Sequence, residues 1–125
     1  MPMVRASNGG TAFIGANECV EFTSGSVSSG YVKHTYASGI SITTESSTNG
    51  PIIVYNVAGK SGSVTTDFST TSDVWESIIG SKNGSFTVIY NGVHQASAKA
   101  FSDYDYLIIK ATRPGTLVMT STITF

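Results

Sequence analysis

Residues 116–125 read TLVMTSTITF, and this stretch indicates most directly how the chain folds. Side chains on an extended strand point alternately to opposite faces, with a period of two residues. One face of this stretch then carries apolar residues, and the other carries mainly hydroxyls. The first face is Leu117, Met119, Ile123 and Phe125, and the second is Val118, Thr120, Thr122 and Thr124. The pattern predicts a half-buried strand with a hydroxyl-bearing outer surface.

The tripeptide Arg113-Pro114-Gly115 precedes this strand and has the chemistry of a tight turn. Proline fixes φ for the second turn position, and glycine accepts the positive φ that follows. We therefore expect residues 105–112 and 116–125 to pair as a hairpin.

Asn91-Gly92 is a second turn signal, because this dipeptide accepts positive φ at both central positions of a type I′ turn. It predicts a hairpin between residues 85–90 and 93–100. In the first of these strands Phe86, Val88 and Tyr90 alternate with Ser85, Thr87 and Ile89, so the first three are expected to share one face.

The first half of the chain shows strand patterns with weaker punctuation. Predicted strands cover residues 18–23, 30–37, 39–45, 51–58 and 62–68, and the Ser/Gly clusters at 24–30 and 46–50 are expected to be loops. Residues 51–58 (PIIVYNVA) are continuously apolar rather than alternating. This predicts a strand that is buried on both faces.

Residues 72–80 (SDVWESIIG) depart from the strand pattern. Asp73 followed three residues later by Glu76 is typical of a helix start, and Gly80 of a helix end. The apolar residues between them have helical i, i+3, i+4 spacing. A helix of about two turns is therefore predicted, closing one end of the fold.

Eight or nine short strands at roughly ten-residue spacing predict a single all-β domain over residues 1–125. The expected architecture is an antiparallel β-sandwich or jelly roll with at most one short helix. A closed barrel is the alternative.

Charge argues against two classes of partner. Only 12% of the 125 residues are charged, the net charge is −1, and no Lys/Arg run occurs. We therefore expect no binding to nucleic acid and no attachment to a membrane surface. About 35 serines and threonines suggest a surface wetted by hydroxyls. The first ten residues lack the apolar segment of a signal peptide. Either the protein stays where it is made, or it leaves by lysis or assembly, or a leader has been removed.

Catalytic and metal-binding patterns are not found. His34, His94 and the single Cys19 do not have the spacing of zinc ligands, and no GxSxG elbow occurs. Asp103 and Asp105 form a D-x-D pair that can serve calcium, but a loop acid followed by an acid at the start of a strand is the preferred interpretation. We expect no cofactor, no metal, no catalytic residue and hence no enzymatic activity.

Aromatic residues are the best candidates for surface recognition. Six tyrosines and one tryptophan offer flat, amphipathic contact area, although most are expected to pack in the core. Trp75 and Tyr104 lie near predicted turns. With Tyr31 and Asp103, they are the candidate surface contacts.

Residues 98–115, AKAFSDYDYLIIKATRPG, carry an aromatic residue, a Ser/Asp step, a Tyr-x-x-Leu and an apolar strand. The stretch resembles small β-rich virion structural proteins of tailed bacteriophages, of the decoration, head-fibre or tail-fibre type. The resemblance implies a non-enzymatic virion component that acts through subunit assembly and surface attachment. Its implied partners are other protein subunits of the virion, including copies of itself. A virion component would be leaderless and assembled in the host cytoplasm.

A carbohydrate-binding, lectin-like module is the alternative function, with a host-surface glycan as its ligand. It predicts exposed rings beside Asn, Asp or Ser on one face. The two functions are compatible, because a fibre can bind host sugars.

Overall fold

The computed structural model describes residues 3–5, 11–22, 30–46, 50–70, 72–113 and 115–125, without the side chains of 3–5, 11–13 and 46. This part of the chain contains only strands, turns and irregular segments. The strands are β1 (Met3–Arg5), β2 (Thr11–Phe13), β3 (Glu18–Phe22), β4 (Tyr31–Thr35), β5 (Ser41–Ser46), β6 (Ile52–Asn56), β7 (Gly62–Phe68), β8 (Trp75–Lys82), β9 (Ser85–Val93), β10 (Lys99–Phe101), β11 (Tyr106–Thr112) and β12 (Leu117–Thr124).

The strands form two main antiparallel sheets. One has four strands in the order β10–β7–β12–β5, and the other has six in the order β4–β3–β6–β11–β8–β9. Strands β1 and β2 pair as a separate two-stranded ribbon. The two main sheets pack as a sandwich, which confirms the predicted all-β antiparallel class.

The main core lies between the two sheets. Strand β12 shows its construction, because Leu117, Met119 and Ile123 are fully buried while Thr120 and Thr122 point outward. The six-stranded sheet contributes Ile53, Tyr55, Ile78, Leu107 and Ile109 to the same core. The residues of β12 that face the core and those that face outward are therefore the ones predicted from the sequence.

Strand β6 is buried on both faces, as predicted from its continuous apolar sequence. Ile53 and Tyr55 face the main core, whereas Ile52 and Val54 belong to a second apolar cluster on the other side of the sheet. The second cluster also contains Ile14, Val20, Phe22 and Tyr106.

The predicted helix at residues 72–80 is wrong, because residues 75–82 form strand β8. Its neighbours β11 and β9 pair with it on both sides. Glu76 and Ile78 point into the sandwich, and this alternation outweighs the weak local preference of so short a helix. Asp73, read as a helix cap, instead adopts a positive φ of 59° in the turn before the strand.

The predicted turn at Asn91-Gly92 is also wrong. Both residues lie within β9, and the hairpin turn is Asn83-Gly84, with φ values of 51° and 82°. Asn91 is held in the strand because its side-chain oxygen accepts hydrogen bonds from Trp75 and Ser77. Of the predicted partner strand 93–100, Val93 ends β9 and residues 99–100 begin the short β10, whereas residues 94–98 form no strand.

Residues 105–112 and 116–125 do form strands, but they do not form a hairpin. Strand β11 belongs to the six-stranded sheet and β12 to the four-stranded sheet. The segment between them therefore connects the two layers. Pro114 of the predicted turn lies outside the described residues.

Candidate functional site

Four large apolar side chains are exposed together on one side of the β8–β9 hairpin. Their exposed fractions are 48% for Trp75, 68% for Phe86, 62% for Val88 and 62% for Val93. All four point away from the four-stranded sheet, because the alternate residues of β8, Glu76 and Ile78, face the core. We call this surface the β8–β9 face.

A β-bulge in β9 places these residues on one face. Ile78 of β8 opposes Tyr90, and Ile79 opposes Val88, so Ile89 is an extra residue. Ile89 and Tyr90 both pack against the main core. The alternation therefore changes phase at Ile89. The expectation that Phe86, Val88 and Tyr90 share a face fails for this reason.

The size of the β8–β9 face suggests an interaction surface. A large aromatic residue offers about 150–250 Å² of surface, so Phe86 and Trp75 each leave roughly 100 Å² or more in water. With the two valines, the exposed apolar area is on the order of 400 Å². This total is within the range of the largest apolar patch on a typical monomer, which is often functional. It is divided into two parts, Phe86 with Val88 and Trp75 with Val93, by the polar pair Ser77 and Asn91 on the same face.

The edge of β9 differs from the other sheet edges in the described residues. Strand β4, at the opposite edge of the same sheet, carries Lys33. In the four-stranded sheet, edge strand β5 carries Glu45, and β10 has only three residues, including Lys99. Strand β9 has nine residues and none is charged. Charge and shortness are two of the usual protections of an open edge, and β9 has neither; it carries a third, the bulge at Ile89.

The four predicted contact residues do not lie together. Trp75 belongs to the β8–β9 face, where its indole N–H donates to Asn91 Oδ1 over 2.9 Å. Tyr31 is exposed on β4, four strands and thus about 19 Å away across the sheet. Asp103 is exposed in the β10–β11 loop and pairs with Lys82. Beside it, Tyr104 is half-buried against the core.

A hydroxyl-lined groove lies on the outer face of the four-stranded sheet. Ser41 and Thr122 bring their hydroxyl oxygens to 2.7 Å, and Thr43 and Thr120 to 3.2 Å. The groove has a volume of about 410 Å³ and is lined by Ser41, Thr65, Thr66, Asp67, Ala96, Thr120 and Thr122. Hydroxyls both donate and accept hydrogen bonds, so the groove suits a neutral, polyhydroxylated ligand.

A polar cluster inside the sandwich was missed by sequence analysis. Glu76 is fully buried, and its carboxylate accepts hydrogen bonds from Thr66 Oγ1 at 2.5 Å, His94 Nδ1 at 2.7 Å and the Gln95 N–H at 2.9 Å. The His94 ring also meets Phe68 edge to face. Predicting a helix at residues 72–80 hid this cluster, because it gave no reason to place Glu76 opposite His94.

The hydrogen bonds of this cluster do not have the arrangement of a nucleophile relay. In a nucleophile relay the hydroxyl would bond to the second nitrogen of the imidazole. Here the hydroxyl of Thr66 donates to the carboxylate of Glu76 instead. The cluster fastens β7, β8 and the segment after β9 to one another.

Cys19 and His34 are the remaining residues with reactive side chains, and they differ in burial. Cys19 is fully buried, and burial raises the pKa of its thiol to about 12, with Glu21 and Glu18 adding to the effect. His34, by contrast, pairs with Glu21 at 3.0 Å on a half-buried strand face. Among the described residues, no three His, Cys, Asp or Glu side chains lie close enough together to hold a metal ion.

Comparison with known proteins gives no relative: no family model, curated protein or solved structure matches this chain. In the described part of the chain, no helix has the length and apolar character needed to cross a membrane.

Proposed function

We propose that this protein is a non-enzymatic structural subunit that associates with copies of itself through the β8–β9 face. The exposed apolar surface of Trp75, Phe86, Val88 and Val93, beside an uncharged edge strand, is the observation that carries the proposal. Burying such surface between subunits is favourable because it removes apolar area from water. The resemblance of residues 98–115 to bacteriophage structural proteins supports a virion as the setting.

The oligomeric state tests the proposal. Light scattering coupled to size exclusion, from low to high micromolar concentration, should reveal concentration-dependent association of the wild-type chain. The double variant Phe86→Asp/Val93→Asp should be monomeric throughout. The control is Ile40→Asp, which places an aspartate on an apolar residue of similar exposure (54%) outside the face and should leave association unchanged. A wild-type chain that is monomeric at every concentration would refute the proposal.

The virion setting is tested separately by the neighbouring genes. Capsid, portal or tail genes beside this one would support it. A neighbourhood of secretion or metabolic genes alone would count against a virion role, without affecting the association itself.

Carbohydrate binding is the second candidate function, and the hydroxyl-lined groove is the observation that favours it. Its hydroxyls and the Asp67 carboxylate offer several hydrogen-bonding groups at the surface of a rigid sheet. A glycan array should give a signal that is lost in Asp67→Asn/Thr122→Val and retained in Phe86→Asp/Val93→Asp. No signal on bacterial or eukaryotic glycans would end this candidate.

A further inference from the structure

We propose that two copies of this chain join edge to edge, with β9 of one copy pairing antiparallel with β9 of the other across a two-fold axis. This inference rests on the proposed function and adds its geometry. The product is a continuous twelve-stranded sheet, with the two β8–β9 faces side by side on one surface.

The open edge of β9 identifies the strand. In the described residues β9 pairs only with β8, so the N–H and C=O groups along its other edge have no partner strand. The Val93 carbonyl accepts a hydrogen bond from the Tyr90 hydroxyl. A second copy of the same edge satisfies these groups, and a two-fold axis makes the contact self-complementary. The absence of charge in β9 removes the repulsion that would separate two identical charged edges.

The bulge at Ile89 selects the register. Residues directly opposite each other in an antiparallel pair must lie on the same face of the sheet. With the two-fold axis between Ile89 and Tyr90, both of these residues face the core, so they can oppose each other. The same register sets Phe86 opposite Val93, Val88 opposite Asn91, and Thr87 opposite Gly92. Without the bulge, this register would place opposite residues on different faces.

This register engages the whole of β9. Phe86 of each copy covers Val93 of the other, beside Trp75, which opposes Val93 within its own chain. Edge pairing leaves the outward surfaces of these side chains in water and buries only the flanks that meet across the seam, together with the two nine-residue edges. The interface is then smaller than about 1,200 Å², the size of weak and transient complexes. We therefore expect a reversible dimer with a dissociation constant in the micromolar range.

Charge exchange tests the register. Phe86→Glu alone and Val93→Lys alone should each weaken the dimer about threefold to tenfold, because each replaces two symmetry-related apolar cross-strand pairs by a charge beside an apolar neighbour. The double variant Phe86→Glu/Val93→Lys should recover most of the affinity, because each new Glu then lies opposite a new Lys of the other copy. Within one chain the two positions are seven residues and more than about 20 Å apart, so recovery cannot come from an internal pair.

The competing register, in which Phe86 opposes Val88, has its own signature. If Phe86→Glu/Val88→Lys recovers the dimer and Phe86→Glu/Val93→Lys does not, the register proposed here is wrong. Circular dichroism and thermal melting of each variant confirm folding, which these exposed positions should not impair.

Cross-linking provides a second test with a different readout. Phe86→Cys/Val93→Cys should form an intermolecular disulfide under mild oxidation, and either single cysteine should not. Cys19 does not interfere, because it is fully buried. Association of the wild type without cross-linking or charge rescue would overturn the β9 pairing while leaving self-assembly intact. A monomeric wild type would overturn both.

Discussion

Replacing Glu76 by alanine should destabilise the fold more than any other single acidic substitution among the described residues. The buried carboxylate receives hydrogen bonds from Thr66, His94 and the backbone of Gln95. Its removal leaves three donors inside the sandwich without their acceptor. A buried donor that loses its partner costs about 1–3 kcal/mol, and breaking a buried charged network costs about 3–5 kcal/mol.

The estimate for Glu76→Ala is therefore a loss of about 3–5 kcal/mol in the free energy of unfolding. A domain of this kind has about 5–15 kcal/mol in total, so the variant should be close to unfolding at ambient temperature. Glu76→Gln should cost less, about 1–2 kcal/mol. Its carbonyl oxygen can face His94 and Gln95 while its NH₂ donates to the hydroxyl of Thr66.

Urea denaturation followed by tryptophan fluorescence and circular dichroism measures these differences. Glu45→Ala is the control, because Glu45 is exposed on β5 and its loss should change stability by no more than about 0.5 kcal/mol. A cost below about 1 kcal/mol for Glu76→Ala would refute the inference that the buried cluster ties the strands together. So would equal costs for the Ala and Gln variants.

Three further predictions concern packing, turn geometry and pH. Gly80→Ala should cost about 1–3 kcal/mol, because its Cβ would lie 2.5 Å from the Tyr104 ring, and calorimetry should show a much smaller cost in a Tyr104→Ala background. Gly84→Ala should lower stability by about 1–2 kcal/mol, because the hairpin requires a φ of 82° at that position and the space around it is open; an unchanged melting temperature would contradict this. Stability should fall as pH rises from about 9 towards 12, because the unfolded chain releases the Cys19 proton at its ordinary pKa of 9.0 while the folded chain retains it to about 12. Urea titrations should show a smaller pH dependence in Cys19→Ala.

Sequence reasoning found the strands whose burial can be read directly from the pattern of their apolar residues. In β12 buried and outward residues alternate, with apolar residues at every buried position except Ser121, and in β6 every residue is buried. Both patterns follow from burial alone, so they could be read without knowing the partner strands. The pairing of strands could not be read in the same way. The segment between β11 and β12 has turn chemistry whether it reverses the chain within one sheet or crosses to the other.

The helix error at residues 72–80 has a physical origin. In this segment apolar residues occur on both faces of the strand, and the buried face includes Glu76. A buried carboxylate hides the period-two signal, and the remaining apolar residues fit a helical spacing equally well. Its tertiary partners Thr66, His94 and Gln95, ten to nineteen residues away, explain why Glu76 is inside.

The β8–β9 face was equally hidden from sequence reasoning. Phe86 and Val88 have the alternation of core residues, and nothing local distinguishes an inward apolar row from an outward one. The change of phase at Ile89 depends on pairing with β8. Of the candidate surface residues, Trp75 lies in this face, whereas Tyr104 is held half-buried above Gly80.

The unequal edges of the two sheets limit how far association can proceed. A subunit with two edge strands that can pair assembles into a fibre without limit. A subunit with one such edge strand stops at a dimer. In the described sheets only β9 is long and uncharged, while β4, β5 and β10 each carry a charge. If two copies pair through β9 as proposed, the molecule is monovalent along its strand-pairing direction. Any larger lattice would have to be built from pairs, held together by a contact of another kind.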